Sequence, residues 1–216
     1  MKKFHYIFIV ALILLSYSCK RDLTSEGVSK VTTYVTLKMT GEHFMSIAKG
    51  TPFTEPGVTA LEGTEPSTLT TLGTVDTNTA GVYTITYGAT NKDGFKVSDM
   101  RIVCVYDETA ASNDFSGNYA RSSNQSLAEW TKIAPGMYSV FNPGGAPGTN
   151  LTIHVFNPTD NIIIVPSQVS SDGSITAATN PQGGEEITYT PDSPFSYSWV
   201  IVNAGYGTSP RNFTKQ

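Results

Sequence analysis

A chain of 216 residues with a formal net charge of −4 and only 15% charged residues has no clustered lysine and arginine face, which excludes a nucleic-acid partner as the expected function. Gly, Pro, Thr, Ser and Tyr are plentiful and long Ala/Leu/Glu/Lys runs are missing, which is the composition of an all-β protein rich in turns. The length accommodates one large or two small domains.

The chain opens with Met1-Lys2-Lys3, a short basic stretch, followed by an apolar run from Phe4 to Leu15 and by Ser16-Tyr17-Ser18-Cys19. That order is the layout of a secretory signal, and the run is shorter than the roughly 20 residues of a membrane span. A small residue before Cys19, directly after the apolar run, resembles the bacterial lipobox. The resemblance implies cleavage after residue 18, diacylglycerol on the Cys19 thiol and attachment to a membrane, with residues 1–18 as signal peptide. A plain secretory signal that happens to contain a cysteine is the alternative. Cys19-Lys20-Arg21-Asp22 carries one acid after two bases. The lipobox resemblance implies an outer-membrane lipoprotein, and the single acid after two bases leaves the surface and periplasmic faces both open.

Residues 19–30 are polar and aperiodic and read as a flexible tether. Residues 31–107 read as the first β-domain. Val31–Leu37 is rich in β-branched residues, and Gly81–Thr90 alternates cleanly, with Tyr83, Ile85, Tyr87 and Ala89 on one face. Asn91-Lys92-Asp93-Gly94 predicts a tight turn, and a returning strand from Lys96 to Tyr106 follows. Cys104 lies between Val103 and Val105, so if those valines face the sandwich core it points from the other side of the strand, which the second domain is expected to cover. With Cys19 lipidated it has no disulfide partner.

Four segments in order carry a family resemblance: Thr54–Ala60, Gly73–Asn78, Gly81–Tyr87 and Arg101–Val105. Together they resemble the bacterial immunoglobulin-like domains of the type found in pesticidal crystal proteins and akin to hyalin repeats. The resemblance implies a small antiparallel sandwich that serves as spacer or adhesion module and brings no active site.

Residues 108–216 change in texture. Glu108–Ser116 is a polar joint. Strands are predicted at Gly117–Ser122, Glu129–Ile133, Met137–Phe141, Leu151–Phe156, Asn161–Val165 and Phe195–Asn203, separated by turn signals such as Asn142-Pro143-Gly144-Gly145 and Ser171-Asp172-Gly173. The fold class is all-β: an N-terminal Ig-like β-sandwich followed by a second antiparallel β-sandwich or open barrel. The tail Ser209–Gln216 is expected to close the sheet as an edge strand. This half resembles the uncharacterised C-terminal domains that follow such Ig-like domains in Bacteroidetes lipoproteins.

The candidate binding residues are aromatic. Phe195, Tyr197, Trp199 and Ile201 share one strand face, which is either a stacking platform for a sugar ring or part of the core, the reading that Ile201 favours. Trp130 and Tyr206 are weighed the same way, and Tyr206 stands in a glycine-flanked loop. No catalytic set is evident. Glu185-Glu186 are neighbours and point apart on an extended strand, unlike the facing carboxylates of glycoside hydrolysis. His43 and His154 have no motif around them, and alternation with Ile153 and Val155 puts His154 on the solvent side. Asp76, Asp93 and Asp99 lack calcium-loop spacing. No metal or cofactor is expected.

The functional expectation is a non-catalytic envelope lipoprotein. Its second domain would bind a glycan or an envelope protein at Trp130, Tyr197, Trp199 or Tyr206, displayed on the Ig-like spacer. The alternative is a structural or adhesive subunit acting through strand edges or domain contacts, for which Arg211–Gln216 is the candidate edge.

Overall fold

The structure, a computed structural model, describes residues 31–192 and 194–216. The expected signal peptide (residues 1–18), lipidated Cys19 and tether (residues 19–30) lie outside the described residues. Tyr34–Gln216 form one compact unit. Among the described residues no helix is long and apolar enough to cross a membrane.

The N-terminal strands are β1 (Val35–Met39), β2 (Phe44–Ala48), β3 (Val58–Glu62), β4 (Glu65–Pro66), β5 (Leu69–Leu72), β6 (Gly81–Thr90) and β7 (Lys96–Tyr106). They form two sheets, β1-β3-β4 and β2-β7-β6-β5. Val35, Leu37 and Ala60 of the first sheet pack on Leu69, Ala89 and Val97 of the second, which makes a sandwich. Strands β6 and β7 span the predicted residues, because period-2 alternation over ten residues permits one register with Ile85, Tyr87 and Ala89 inward. The turn between them is tied by the Asn91 carboxamide, whose Oδ1 accepts from Asp93 N at 3.1 Å and Phe95 N at 2.7 Å. The first strand starts at Val35 rather than Val31.

Arg101 is a fully buried cation on the Val103 and Val105 side of β7. Its Nε donates to Glu55 Oε1 at 3.0 Å and its Nη2 to Thr40 O at 2.7 Å, while Nη1 donates to Glu42 O. One side chain thus ties β7 to the segments around β1, β2 and β3.

The joint is a short capped helix, α1 (Glu108–Ser112), with Asp107 as N-cap accepting from Ala110 N at 3.0 Å. The other Asp107 oxygen accepts from Thr159 Oγ1 at 2.6 Å, and Asp107 N donates to Pro158 O at 3.0 Å. Asn157 is fully buried and its Nδ2 donates to Ile162 O at 2.8 Å. Side chains that look like linker polarity in sequence therefore bond the joint into the C-terminal half.

That half contains β8 (Gly117–Arg121), β9 (Leu127–Ala134), β10 (Met137–Phe141), β11 (Thr152–Phe156), β12 (Ile162–Ile163), β13 (Val165–Val169), β14 (Ile175–Thr179), β15 (Ile187–Thr188), β16 (Ser196–Val202) and β17 (Arg211–Lys215). Eight of them form one antiparallel sheet in the order β11-β10-β9-β8-β17-β16-β14-β13, with β12 paired to β15 beside it. The predicted strand Asn161–Val165 is divided between β12 and β13. Strand β13 escaped notice because Pro166 interrupts its pattern, and β14 because Ile175-Thr176-Ala177-Ala178-Thr179 has weak side-chain contrast.

The sheet nearly closes on itself, and the seam between its end strands is stitched by unlike groups. Phe156 and Ile164 exchange two backbone bonds at 3.0 and 2.8 Å. In the middle the Gln168 carboxamide stands in for a missing peptide: Oε1 accepts from His154 N at 2.7 Å and Nε2 donates to His154 O at 2.8 Å. At the far end Ser171 Oγ accepts from Thr152 N at 2.8 Å. The result is the open barrel of the two architectures expected.

The tail corrects one expectation. β17 is not an edge strand: it pairs with β16 (Trp199 opposite Arg211) and with β8 (Phe213 opposite Arg121). Its two faces explain this, since Arg211 and Phe213 are buried and Asn212 is exposed, the alternation of an interior strand.

Candidate functional site

Each aromatic residue considered for ligand binding has a definite place. Trp130, Tyr197 and Trp199 are buried in the barrel core with Tyr119, Tyr138 and Phe213. Trp130 Nε1 donates to Tyr197 Oη at 2.9 Å, and Trp199 Nε1 donates to Pro143 O at 2.9 Å. Trp130 and Trp199 stack with ring centres 5.8 Å apart. With their polar handles bonded and their rings enclosed, these three are core residues, which corrects the stacking-platform reading. The same strand fixes the choice, because Ser196 and Ser198 occupy its other face.

Tyr206 is half-buried and serves as a lid at one end of the barrel. Arg211 lies 4.9 Å over its ring, and its hydroxyl is 3.3 Å from Thr149 Oγ1. The lid needs Gly144 beneath it, where an added Cβ would stand 2.1 Å from Tyr206 Cε1.

The surface opposite the aromatic stripe holds a groove of about 420 Å³. One wall is the outward face of β16 and β17, with Ser196, Ser198, Asn212 and Thr214. The other is the arm from Asn180 to Thr190, which contributes Asn180, Gln182, Thr188 and Thr190. No ionisable side chain other than the buried Tyr197 phenol borders it. The arm is preformed: Asn180 N donates to Gly184 O at 2.9 Å, Asn180 Nδ2 to Glu186 O at 2.9 Å, and Thr190 N to Ser196 O at 2.8 Å. Ser198 Oγ donates to Asn212 Oδ1 at 2.7 Å, which leaves the Asn212 amide donors facing solvent. Glu185 and Glu186 are exposed on this arm, outside the groove lining.

A second concavity of about 610 Å³ lies between β2 and β7 on one side and the barrel on the other. It unites the two histidines that sequence considered separately. His43 Nε2 is 3.1 Å from Asp99 Oδ2. His154 is half-buried rather than open to solvent: its ring stacks on Phe44 with centres 4.0 Å apart, and burial lowers its pKa, which favours the neutral imidazole. Met100, Met137, Ile133 and Val169 supply apolar lining. The pairing was not legible in sequence, because His43 and His154 are brought together by packing between separate sheets.

Cys104 is fully buried with Ile102 and Phe156, on the β7 side opposite Val103 and Val105 and against the barrel. Its Sγ lies 3.5 Å from Gly136 O. Asp76 is used in a turn, accepting from Asn78 N at 2.9 Å and Thr79 Oγ1 at 2.7 Å. Among the described residues no three His, Cys, Asp or Glu side chains gather as a metal site.

Residues 37–105 match the family model of the bacterial surface protein Ig-like domain. A crystal structure of a lipoprotein from Bacteroides thetaiotaomicron aligns at 26% identity and a TM-score of 0.36, covering 85% of this chain and all 100% of that one. A Clostridium perfringens structure of an M60 catalytic domain with two CBM51 domains aligns at 12% identity and a TM-score of 0.31, covering 87% of this chain and 24% of that one. No curated protein sequence matches the chain.

Proposed function

We propose that this chain, Ig-like of the bacterial-surface type over residues 37–105, is a non-catalytic accessory module of the cell envelope that binds neutral glycan through the β16–β17 groove. The lining of that groove carries the reading. Sugar hydroxyls are recognised by neutral donors and acceptors, and the walls consist of amides and hydroxyls on a preformed frame, so little ordering entropy opposes binding. The Ig-like sandwich would act as spacer. Lipid on Cys19 would hold the assembly to the outer membrane, on its surface or periplasmic side.

Two features support a binding role over hydrolysis. Glu185 and Glu186 stand outside the groove, and the histidines belong to a separate cleft. The adhesive alternative loses its candidate edge, since Arg211–Lys215 is already paired on both sides.

The test is an array of neutral and anionic glycans probed with the whole mature chain, followed by calorimetry on the hits. Neutral oligosaccharides should bind, and Asn212→Ala or Thr190→Ala should each weaken binding by about fivefold, the value of one hydrogen bond near 1 kcal/mol. If no neutral glycan rises above background, or if both variants bind like the parent, the reading is lost.

A further inference from the structure

The cleft between the Ig-like sandwich and the barrel has a chemistry opposite to that of the polar groove. Phe44, Met100 and Met137 provide apolar surface, and Ile133 and Val169 are 46% and 57% exposed beside them. Solvent-exposed aliphatic residues gathered in a concavity mark a contact site more often than a neutral surface. Methionine side chains are unbranched and polarisable, so they adapt to the shape of an incoming side chain. Two carboxylates, Glu42 and Asp99, stand in the lining, and no lysine or arginine accompanies them.

The Asp99 carboxylate is held in place. Oδ1 accepts from Met100 N at 2.8 Å, and Oδ2 faces His43 Nε2 at 3.1 Å. Glu42 is exposed, with its main-chain oxygen engaged by Arg101, so its carboxylate stands on a segment anchored from below. Phe44 presents a ring already braced by His154. Apolar surface, an aromatic face and two acids with no lysine or arginine in the lining match one kind of occupant: an apolar side chain flanked by a guanidinium or ammonium group. We infer that this cleft docks a basic, apolar-flanked segment of a protein partner, independently of glycan binding in the β16–β17 groove.

The mature full chain provides its own reporters, since Met39, Met45, Met100 and Met137 give separate methyl signals when labelled with ¹³C. The probes are the blocked tetrapeptides Arg-Leu-Leu-Arg, Gln-Leu-Leu-Gln and Glu-Leu-Leu-Glu. The arginine peptide should shift the Met100 and Met137 methyls and leave Met39 and Met45 in place. The glutamate peptide should not. In the double variant Glu42→Gln/Asp99→Asn the arginine peptide should bind at least about tenfold more weakly. The unshifted Met39 and Met45 signals report that this variant remains folded. No shift with millimolar arginine peptide, equal binding of the glutamate peptide, or unchanged affinity in the double variant would each overturn the inference. Asn212→Ala should not alter any of these shifts, which keeps this result separate from the glycan test.

Discussion

Cys104 is fully buried where β7 meets the barrel, and burial pushes its thiol pKa up to about 12 from an ordinary 9.0. Thiolate is the reactive species, so three pKa units reduce its population at pH 8 by about three decades, before any steric barrier is counted. In a Cys19→Ser chain, a maleimide should therefore label the native protein slowly and the denatured protein at once. Rapid stoichiometric labelling under native conditions would contradict the packing of Gly136 and Phe156 over this thiol. Its direction was legible from the flanking valines. The role of Arg101, three residues before Cys104 and on the opposite face of β7, was not, because its partners Glu55, Thr40 and Glu42 lie more than forty residues distant and only folding brings them to the guanidinium.

At the scale of the element, the barrel depends on how β11 meets β13. A regular ladder cannot form there, since Pro166 lacks an N–H and the strand shifts register between Val165 and Gln168 when pairing with β14. The Gln168 carboxamide satisfies both main-chain groups of His154 instead. Gln168→Leu keeps similar bulk and leaves those groups unpaired in a buried place, so it should destabilise the protein by about 1–3 kcal/mol in urea unfolding. An unchanged midpoint would show that the seam does not need this bond. No sequence pattern announces such a role: a glutamine after Val165-Pro166-Ser167 reads as a polar loop residue until the opposite strand is known. The opposite holds for β6, β7 and β10, whose limits were readable because alternation and glycine-bearing turns are local signals.

At the scale of the whole molecule, the last strand is an organising one. β17 joins β8 to β16, and without it the sheet divides into β11-β10-β9-β8 and β16-β14-β13. Deleting residues 211–216 should abolish the cooperative near-ultraviolet circular dichroism transition and make the C-terminal half sensitive to protease. A truncated chain with native-like protection would refute that role. The two concavities also belong to this scale. One lies between separate sheets and the other between a strand face and an arm, so neither is a motif that spacing can reveal.

The amino-acid sequence by itself determined the all-β class and, through a resemblance, the Ig-like segment, and it offered the core as one of two readings of the β16 aromatic stripe. The class follows from local patterning, alternation and turn residues, and Ile201 at the end of the stripe favours the core. Tertiary structure alone decided that the C-terminal half is a nearly closed barrel and that its tail is interior. It also brought His43 and His154 to one cleft and placed Trp130 and Trp199 in the barrel core. The physical reason is that strand order and closure depend on which distant backbone groups satisfy one another, and residues such as Gln168 and Arg101 gain their roles only from those partners.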